Sequence, residues 1–433
     1  MNYEEARVYL DQMSKYGSVL GLENMKALLD RLDNPQDELK FIHISGTNGK
    51  GSVLAYLSSI LQEAGYKTGR YSSPALFSYR ERIQIDGEMI DKDSLARYVT
   101  VIAGIVEDMR QNHEAVPTVF EIETAMAMMH FKEEQCDIVV LETGLGGALD
   151  ATNVVQTTLL EIITPIGMDH MDVLGNTLGE IALQKAGIIK EHTRAVTAAQ
   201  KPEAQSVLEK VCTEKNTILH TVDVSRIERK HYGWDTQSFS YKDWKDIQIS
   251  LAGKFQLENA ALALEAAEQL REEGFTLTEE QIRKGLKNAQ WKGRFSVVSQ
   301  EPVVILDGAH NPHAAEALKQ SLEFYFGGKK IYYVFGVFKD KDYRKIIEIT
   351  APLAEHIITV ETPGNPRALP AEILKREVAA VNPSAESAES IESAVQKSLN
   401  LMEKNDVLVI FGSLSFLGLA EKAIIRERGK IHG

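Results

Sequence analysis

A glycine-rich turn between a strand-like run and a helical pattern constrains the fold of this chain more than any other feature. Residues 41–44 form a mostly apolar run, and residues 52–64 carry apolar side chains at helical spacing. The segment between them is Ser45-Gly46-Thr47-Asn48-Gly49-Lys50-Gly51-Ser52. Glycines allow successive N–H groups to face phosphate oxygens, the helix N-terminus adds positive potential, and the lysine reaches the terminal phosphates. The turn therefore predicts a nucleotide-phosphate site; a ligand-free turn that caps a helix is the simpler alternative.

The pattern around this turn is that of an α/β protein. Further buried strands at residues 136–141 and 159–163 alternate with helical stretches, which predicts βαβ crossovers and a parallel sheet covered on both faces. Residues 222–251 alternate polar and apolar side chains without a helical period, which indicates a small antiparallel excursion. Helical spacing resumes at residues 257–270 and 278–289.

A second strand-and-helix series begins after a short linker. The linker is Trp291-Lys292-Gly293-Arg294, and the strands expected beyond it, with one helix at 312–324, cover residues 303–306, 331–335, 356–360 and 407–411. A chain of 433 residues is also too long for one ordinary core. We therefore predict two α/β domains: a P-loop-type, mostly parallel sheet domain over 1–292 and a smaller Rossmann-like domain over 297–433. Ligands are expected at the carboxyl ends of the strands.

Charge and cysteine content exclude several classes of protein. The net charge is −14, from 48 Lys and Arg against 62 Asp and Glu, which argues against nucleic acid or anionic membrane as a partner. Of the two cysteines, Cys136 and Cys212, Cys136 opens an apolar run and is expected to be a buried free thiol. Nothing in the sequence resembles a disulfide framework or a zinc cluster. The first residues are acidic and lack an apolar core, and residues 407–420 are too short and glycine-broken to span a bilayer. We expect a cytoplasmic monomer.

The spacing of the glycine-rich turn points to one superfamily. Its first glycine lies three residues before Gly49, and Gly51 stands where kinases and GTPases place a hydroxyl residue after Lys50. This shortened loop resembles that of the Mur ligases, and Gly46-Thr47-Asn48-Gly49-Lys50-Gly51-Ser52 is similar to the loop of folylpolyglutamate and dihydrofolate synthases. The resemblance continues in separated motifs from Gly21 to Ser413. It implies a ligase that uses ATP to join L-glutamate to tetrahydrofolate, and to dihydropteroate, through an acyl phosphate.

Several polar residues follow strand ends that face the same cleft. Glu142 ends a buried strand beside the phosphate loop, where a carboxylate is a natural Mg²⁺ ligand, although an acid facing water is the alternative. The resemblance implies that His170, in Gly167-Met168-Asp169-His170, and Ser73, in Ser72-Ser73-Pro74, complete the Mg²⁺ ligands of what we expect to be two sites. It further implies that Lys185 is carbamylated by CO₂. Without the resemblance Lys185 would be an ordinary helix-surface lysine.

Two more sets of residues are assigned by the same resemblance. The pteroyl or folate substrate is expected to contact Phe120, Glu121, Leu149, Asp150 and Ala151. A core role for Phe120 is the alternative. His310, in Leu306-Asp307-Gly308-Ala309-His310-Asn311-Pro312, is expected to act on the amino-acid side of the reaction. The nucleotide is expected to contact Thr47, Asn48, Gly49, Lys50, Asn259, Arg294 and Asp307.

Four positions depart from the family pattern. The family usually has arginine where Ala148 stands, histidine at the positions of Ala75 and Phe255, and glutamate at that of Gln184. These departures leave the folate species open. The alternatives are a polyglutamylation-only enzyme, a Mur-type amino-acid ligase with a non-folate acceptor, and a non-catalytic nucleotide-binding protein that retains the fold.

Overall fold

The computed structural model describes residues 1–14, 17, 21–75, 78–234, 236–291, 293 and 295–431, with side chains to residue 427. Its helices are α1 Tyr3–Met13, α2 Glu23–Asp30, α3 Lys50–Glu63, α4 Lys92–Gln111, α5 Val119–Glu133, α6 Met171–Leu174, α7 Leu178–Ala186, α8 Pro202–Glu214, α9 Gln256–Glu272, α10 Glu279–Asn288, α11 Pro312–Phe326, α12 Tyr343–Thr350, α13 Ala371–Ala379, α14 Ile391–Leu401 and α15 Leu417–Ile431.

The strands of the N-terminal part are β1 Phe41–Ser45, β2 Thr68–Tyr71, β3 Ile83–Ile85, β4 Glu88–Met89, β5 Ile138–Glu142, β6 Thr158–Ile163, β7 Arg194–Thr197, β8 Ile218–Thr221, β9 Ile227–His231, β10 Gln237–Tyr241 and β11 Trp244–Ile249. Those of the C-terminal part are β12 Ser296–Gln300, β13 Val303–Asp307, β14 Ile331–Phe335, β15 His356–Thr359, β16 Ala385–Ser387 and β17 Val407–Phe411.

Strand β1 lies in the middle of the first sheet, between β5 and β6. The order of this sheet is β4-β3-β2-β5-β1-β6-β7-β8, and all strands from β2 to β8 along this order run parallel. In the register of β1, Ile44 lies beside Glu142 of β5 and Ile162 of β6. The carboxyl ends of three neighbouring strands therefore open at the same edge, and each continues into one of the loops singled out in the sequence.

Both faces of this sheet are covered, which explains why its central strands are almost continuously apolar. Ile42 and Ile44 of β1 face the core formed with α3, α9 and α10. Phe41 points to the opposite face, where Tyr71 and the helices α1, α2, α4 and α5 pack. Sequence and structure agree on the three-layer α/β arrangement.

The remaining sheets also agree with the sequence prediction. Strands β9 to β11 form a small antiparallel sheet within the predicted excursion. The C-terminal sheet has the order β12-β13-β17-β14-β15-β16, parallel except for β12, with one apolar core on each face. The predicted α/β fold class is confirmed. In the linker, Lys292 and Arg294 lie outside the described residues.

Two further expectations can be compared with the described part of the chain. Cys136 is a buried free thiol, as predicted, and Cys212 is one as well. No described helix is long and apolar enough to cross a membrane.

Helix α10 packs so closely on α3 that a side chain at the contact has no room. A Cβ at Gly285 would lie 2.5 Å from the Cα of Ile60. We expect Gly285→Ala to lower the free energy of unfolding by about 1–3 kcal/mol, because overpacking a rigid contact outweighs the better helix propensity of alanine. Urea unfolding followed by circular dichroism measures this change.

Gly104 in the middle of α4 is the matched control, since a Cβ there meets nothing within 4 Å. Gly104→Ala should raise stability by about 0.5–1 kcal/mol. Equal effects of the two substitutions would contradict the close packing of α10 on α3.

Candidate active site at the carboxyl ends of the first sheet

The loop between β1 and α3 is held in a conformation that glycine alone fits. Gly46 has φ 144° and Gly49 has φ 89°. A Cβ on Gly46 would lie 1.9 Å from Oγ1 of Thr164, and a Cβ on Gly49 would lie 2.6 Å from Oδ1 of Asn259. The predicted nucleotide residue Asn259, from the first turn of α9, thus packs directly on the phosphate loop.

Two lysine ammonium groups converge on one carbonyl oxygen of this loop. Lys50 Nζ donates to the carbonyl of Gly46 at 3.2 Å, and Lys185 Nζ donates to the same oxygen at 2.8 Å. Glu142 Oε1 lies 3.9 Å from Lys50 Nζ. Burial, together with the positive charge of Lys50, lowers the pKa of Lys185 to about 7. Lys185 is therefore a buried, partly neutral amine, not a helix-surface lysine.

The predicted metal ligands occupy neighbouring strand ends. Glu142 is buried at the end of β5, and His170 follows β6 with φ 49°. Burial lowers the pKa of His170, and the charges of Lys341, Lys185 and Lys50 act in the same direction, so its imidazole is available in the neutral, metal-binding form. Ser73 follows β2, the neighbour of β5. Within the described ranges, no three His, Cys, Asp or Glu side chains form a ready metal cluster.

Asp169 connects the two parts of the chain, a role that the sequence analysis did not predict. Its Oδ2 accepts from Asn311 Nδ2 at 3.2 Å, and its Oδ1 lies 4.0 Å from Lys341 Nζ. Burial alone would raise the pKa of Asp169, but His170, Lys341 and His310 outweigh it and keep that pKa below its usual value. Asp169 therefore remains an anion that faces Lys341 and Asn311 of the C-terminal part.

A second contact across the same cleft joins the phosphate loop to α11. Asn48 Nδ2 and His313 Nδ1 are 2.8 Å apart. Asn311 caps α11 through its Oδ1, which accepts from Ala314 N at 2.8 Å. Its amide group still reaches Asp169, so one side chain caps a helix and bridges the cleft.

The predicted residues of the C-terminal part have local partners. The carboxylate of Asp307 is buried and accepts from Phe295 N at 2.6 Å and Ala309 N at 2.7 Å, so it holds the end of the linker against β13. His310 Nδ1 lies 2.7 Å from the carbonyl of Gly308. Since a carbonyl only accepts, that nitrogen carries the proton, and in the neutral ring Nε2 bears the lone pair. Arg294 lies outside the described residues.

All five residues predicted to contact the pteroyl substrate line one cavity of about 680 Å³. Ser73 and Gly144 border the same cavity, and a Cβ on Gly144 would lie 2.6 Å from the ring of Phe120. Phe120 thus faces the cavity rather than only the core. The size is that of a site for a drug-sized ligand. Arg7, Arg82 and Arg367, which the sequence analysis did not single out, also line it.

Two of the predicted substrate residues are carboxylates with internal partners. Glu121 Oε2 accepts from the N–H of Thr118 at 2.7 Å and from its hydroxyl at 2.8 Å, in a capping box at the start of α5. Asp150 Oδ2 accepts from Leu145 N at 2.7 Å. Burial raises the pKa of both carboxyl groups. Each orders the backbone around the cavity as well as lining it.

Ala148, one of the departures from the family pattern, sits at a tight contact. Its N–H donates to the carbonyl of Gln184 at 2.8 Å, and a Cβ on Gly187 would lie 2.3 Å from the Cβ of Ala148. The loop of residues 143–151, here called the cavity loop, is therefore packed directly against the end of α7, the helix that carries Lys185.

Comparison with known proteins agrees with this geometry. The chain matches the Mur ligase middle domain over residues 44–267 and the glutamate ligase domain of Mur ligases over residues 293–414. It is 37% identical to the dihydrofolate synthase/folylpolyglutamate synthase of Bacillus subtilis, covering 98% of this chain and 99% of that one.

Two solved structures are similar over nearly the whole chain. The folylpolyglutamate synthase of Mycobacterium tuberculosis complexed with ADP has a TM-score of 0.88 and 30% identity, covering 97% of this chain and 98% of that one. E. coli FolC in complex with DHPP and ADP has a TM-score of 0.84 and 30% identity, with 98% of each chain covered.

The fold and the phosphate site define a Mur ligase, an enzyme that joins an acid to an amino acid at the expense of ATP. Within that class, the chain belongs to the dihydrofolate synthase/folylpolyglutamate synthase family. It is an ATP-dependent acid–amino-acid ligase that glutamylates folates, with ATP as its co-substrate.

The contacts of Asp169 predict a role in closing the cleft. We expect Asp169→Ala to enlarge the radius of gyration of the ligand-free protein and to lower kcat/KM at least about tenfold. The substitution removes the hydrogen bond from Asn311 to a charged carboxylate, and a bond of this kind stabilises a structure by about 1.5–3 kcal/mol. Small-angle X-ray scattering and steady-state kinetics measure the two effects.

Asp172, exposed on α6, supplies the matched control. Asp172→Ala should leave both quantities unchanged. A radius of gyration and a kcat/KM that stay at wild-type values in Asp169→Ala would show that the bridge to Asn311 and Lys341 does not hold the cleft closed.

Proposed function

We propose that this ligase activates the carboxylate of a pteroyl substrate as an acyl phosphate and joins it to the amine of L-glutamate, with both dihydropteroate and tetrahydrofolate as acceptors. The observation that carries the proposal is the cavity of about 680 Å³, which is lined by every residue expected to contact the pteroyl group. The similarity to E. coli FolC in complex with DHPP and ADP supports it.

The phosphate loop and its neighbours would bind the nucleotide. In this proposal the substrate carboxylate attacks the γ-phosphate, and Lys50 offsets the negative charge on the transferring group. Closure of the cleft keeps water from the acyl phosphate. We assign the loop to a domain spanning 1–292 and the glutamate side to a domain spanning 297–433. The nucleotide contacts in this proposal are Thr47, Asn48, Gly49, Lys50, Asn259, Arg294 and Asp307.

The donor set at the strand ends fits magnesium. Glu142, His170 and Ser73 offer one carboxylate, one neutral imidazole and one hydroxyl, and Mg²⁺ in phosphoryl-transfer sites takes few protein ligands besides water and phosphate oxygens. We propose that these residues hold Mg²⁺, in two sites. Bound there, Mg²⁺ would neutralise phosphate charge and orient the γ-phosphate.

Lys185 is proposed to act as a carbamate. Its neutral amine can attack the carbon of CO₂ so that an N–C bond forms, the electrons of one C=O bond move to oxygen, and the nitrogen loses a proton. The product is an anion beside Lys50, which replaces a repulsion by an attraction. His310 would then serve the glutamate side, because its Nε2 lone pair can accept a proton from the attacking amine.

We further propose that the enzyme works in the cytoplasm as a monomer. Two buried free thiols and an ATP co-substrate fit a reducing, ATP-containing compartment. The proposed partners are small molecules: ATP, L-glutamate and the pteroyl acceptor.

Incorporation of radiolabelled glutamate, measured with ATP and either dihydropteroate or tetrahydrofolate, tests the proposal. We expect product from both acceptors. We also expect Lys50→Ala to reduce the rate at least about 100-fold, because the loss falls on transition-state charge. Lys284→Ala is the control and should retain wild-type rates, because it removes an exposed lysine of α10 whose partner is Glu63 at the end of α3.

The other outcomes separate the alternatives. Product from tetrahydrofolate alone identifies a polyglutamylation-only enzyme. Absence of product from both acceptors contradicts the proposal; ATP turnover with another acid then indicates a Mur-type ligase with a non-folate acceptor, and ATP binding without turnover indicates a non-catalytic protein.

Carbamylation of Lys185 predicts a dependence on CO₂ and on pH. Because only the neutral amine reacts and its pKa lies at about 7, carbamate should be lost as the pH falls below that value and increase as the pH rises through it. A ¹³C-bicarbonate NMR experiment should give a carbamate signal in the wild type and none in Lys185→Met. Activity should fall in CO₂-free buffer and return on adding bicarbonate; a wild-type spectrum without the signal would refute the modification.

A further inference from the structure

A fully buried histidine lies in the middle of β1, the strand that leads into the phosphate loop. His43 of β1 has its Nε2 2.9 Å from Oγ1 of Thr152. Its Nδ1 has no hydrogen-bond partner among the residues that the structure describes. Burying a polar ring with one nitrogen unpaired costs free energy that an apolar side chain would not. The one bond that His43 makes therefore needs an explanation.

Thr152 determines the direction of this bond. Its Oγ1 also lies 2.5 Å from Oδ1 of Asp150, a carboxylate that already accepts the N–H groups of Leu145 at 2.7 Å and Thr152 at 3.0 Å. A carboxylate only accepts, so the single hydroxyl hydrogen of Thr152 points to Asp150. His43 must then donate from Nε2 to the threonine oxygen.

The protonation of His43 agrees with this direction. Burial lowers the pKa of His43 to about 3, and the charge of Lys190 adds to that effect. The ring is therefore neutral and carries one hydrogen, which the threonine oxygen holds on Nε2. The bare nitrogen, Nδ1, is the one that has no partner.

The polar chain ends at the substrate cavity. Asp150 lines that cavity together with Leu145, whose N–H it accepts. Because β1, which carries His43, continues directly into the phosphate loop, the chain of bonds joins the cavity loop, residues 143–151, to the strand that precedes the phosphate loop. The distance between the substrate carboxylate and the γ-phosphate depends on the relative position of these two loops.

We propose that His43 is a positioning residue of the ligation reaction, which acts through Thr152 and Asp150 to fix the cavity loop relative to the phosphate loop. The proposal rests on the proposed function in one respect, that the cavity binds the pteroyl group. His43 touches neither substrate. Loss of His43 should weaken the binding of the pteroyl substrate. The phosphate loop, which packs through Gly46 and Gly49 against Thr164 and Asn259, should stay in place.

The test compares substitutions that remove or keep the donor. His43→Leu and Thr152→Val each remove one partner of the hydrogen bond. His43→Gln keeps an N–H donor at position 43, and Thr152→Ser keeps the hydroxyl at position 152. We expect His43→Leu and Thr152→Val each to raise KM for dihydropteroate about tenfold, with KM for ATP within about twofold of wild type. His43→Gln and Thr152→Ser should recover most of that loss. The double variant should be no worse than either single one, because both break the same chain.

¹⁵N NMR of histidine-labelled protein supplies a readout that needs no activity. We expect His43 in the Nε2–H tautomer in the wild type. An Nδ1–H tautomer would overturn the proposal, whether or not the enzyme ligates folates. So would a His43→Leu protein with a lower melting temperature but an unchanged KM for the pteroyl substrate, which is the signature of a purely structural histidine. If His43→Leu does not fold, His43→Gln and the threonine pair decide by the same criteria.

Discussion

Two ammonium groups that share one carbonyl oxygen set the electrostatics of this active site. Lys50 and Lys185 both donate to the carbonyl of Gly46, and one carboxylate, that of Glu142, lies within 4 Å of Lys50. Such a site has an excess of positive charge until anions arrive. The phosphates of ATP supply the balancing negative charge when the nucleotide binds. A carbamate on Lys185 would supply negative charge even without the nucleotide. The geometry that allows both lysines to reach one oxygen is the tight turn at Gly46, where a side chain would collide with Thr164.

The fold follows from patterns that are local in the sequence. Strands β1, β5, β6, β13, β14 and β17 are fully or almost fully buried, so their apolar runs mark them without knowledge of their neighbours. Phosphate loops are equally local, because strand, turn and helix are consecutive. The predicted substrate residues lie on two separate segments, 120–121 and 149–151, and only the structure shows that they line one cavity with Ser73.

Other parts of the site could not be predicted from a local pattern. The bond between Asn311 and Asp169 joins residues 142 positions apart, and its formation depends on how the C-terminal sheet is placed against the first. Lys341, which faces the same carboxylate of Asp169, belongs to none of the sequence motifs. The cap on α5 is different. Thr118 followed three residues later by Glu121 is a capping-box pattern, and it could have shown that this carboxylate orders a helix end as well as facing substrate.

The site thus consists of two kinds of contact with different tasks. Buried contacts such as His43 to Thr152, and Gly187 against Ala148, fix the loops of the first sheet to one another and have no room to move. The described contacts across the cleft, those of Asp169 with Lys341 and Asn311 and that of Asn48 with His313, are polar. Polar contacts of this kind can break in water at modest cost, whereas packed cores cannot. A ligase must admit a nucleotide and then exclude water from an acyl phosphate, so it needs both kinds of contact. The packed loops of the first sheet set the distance between the reacting groups. The polar contacts across the cleft close it and can be replaced by contacts with the substrates.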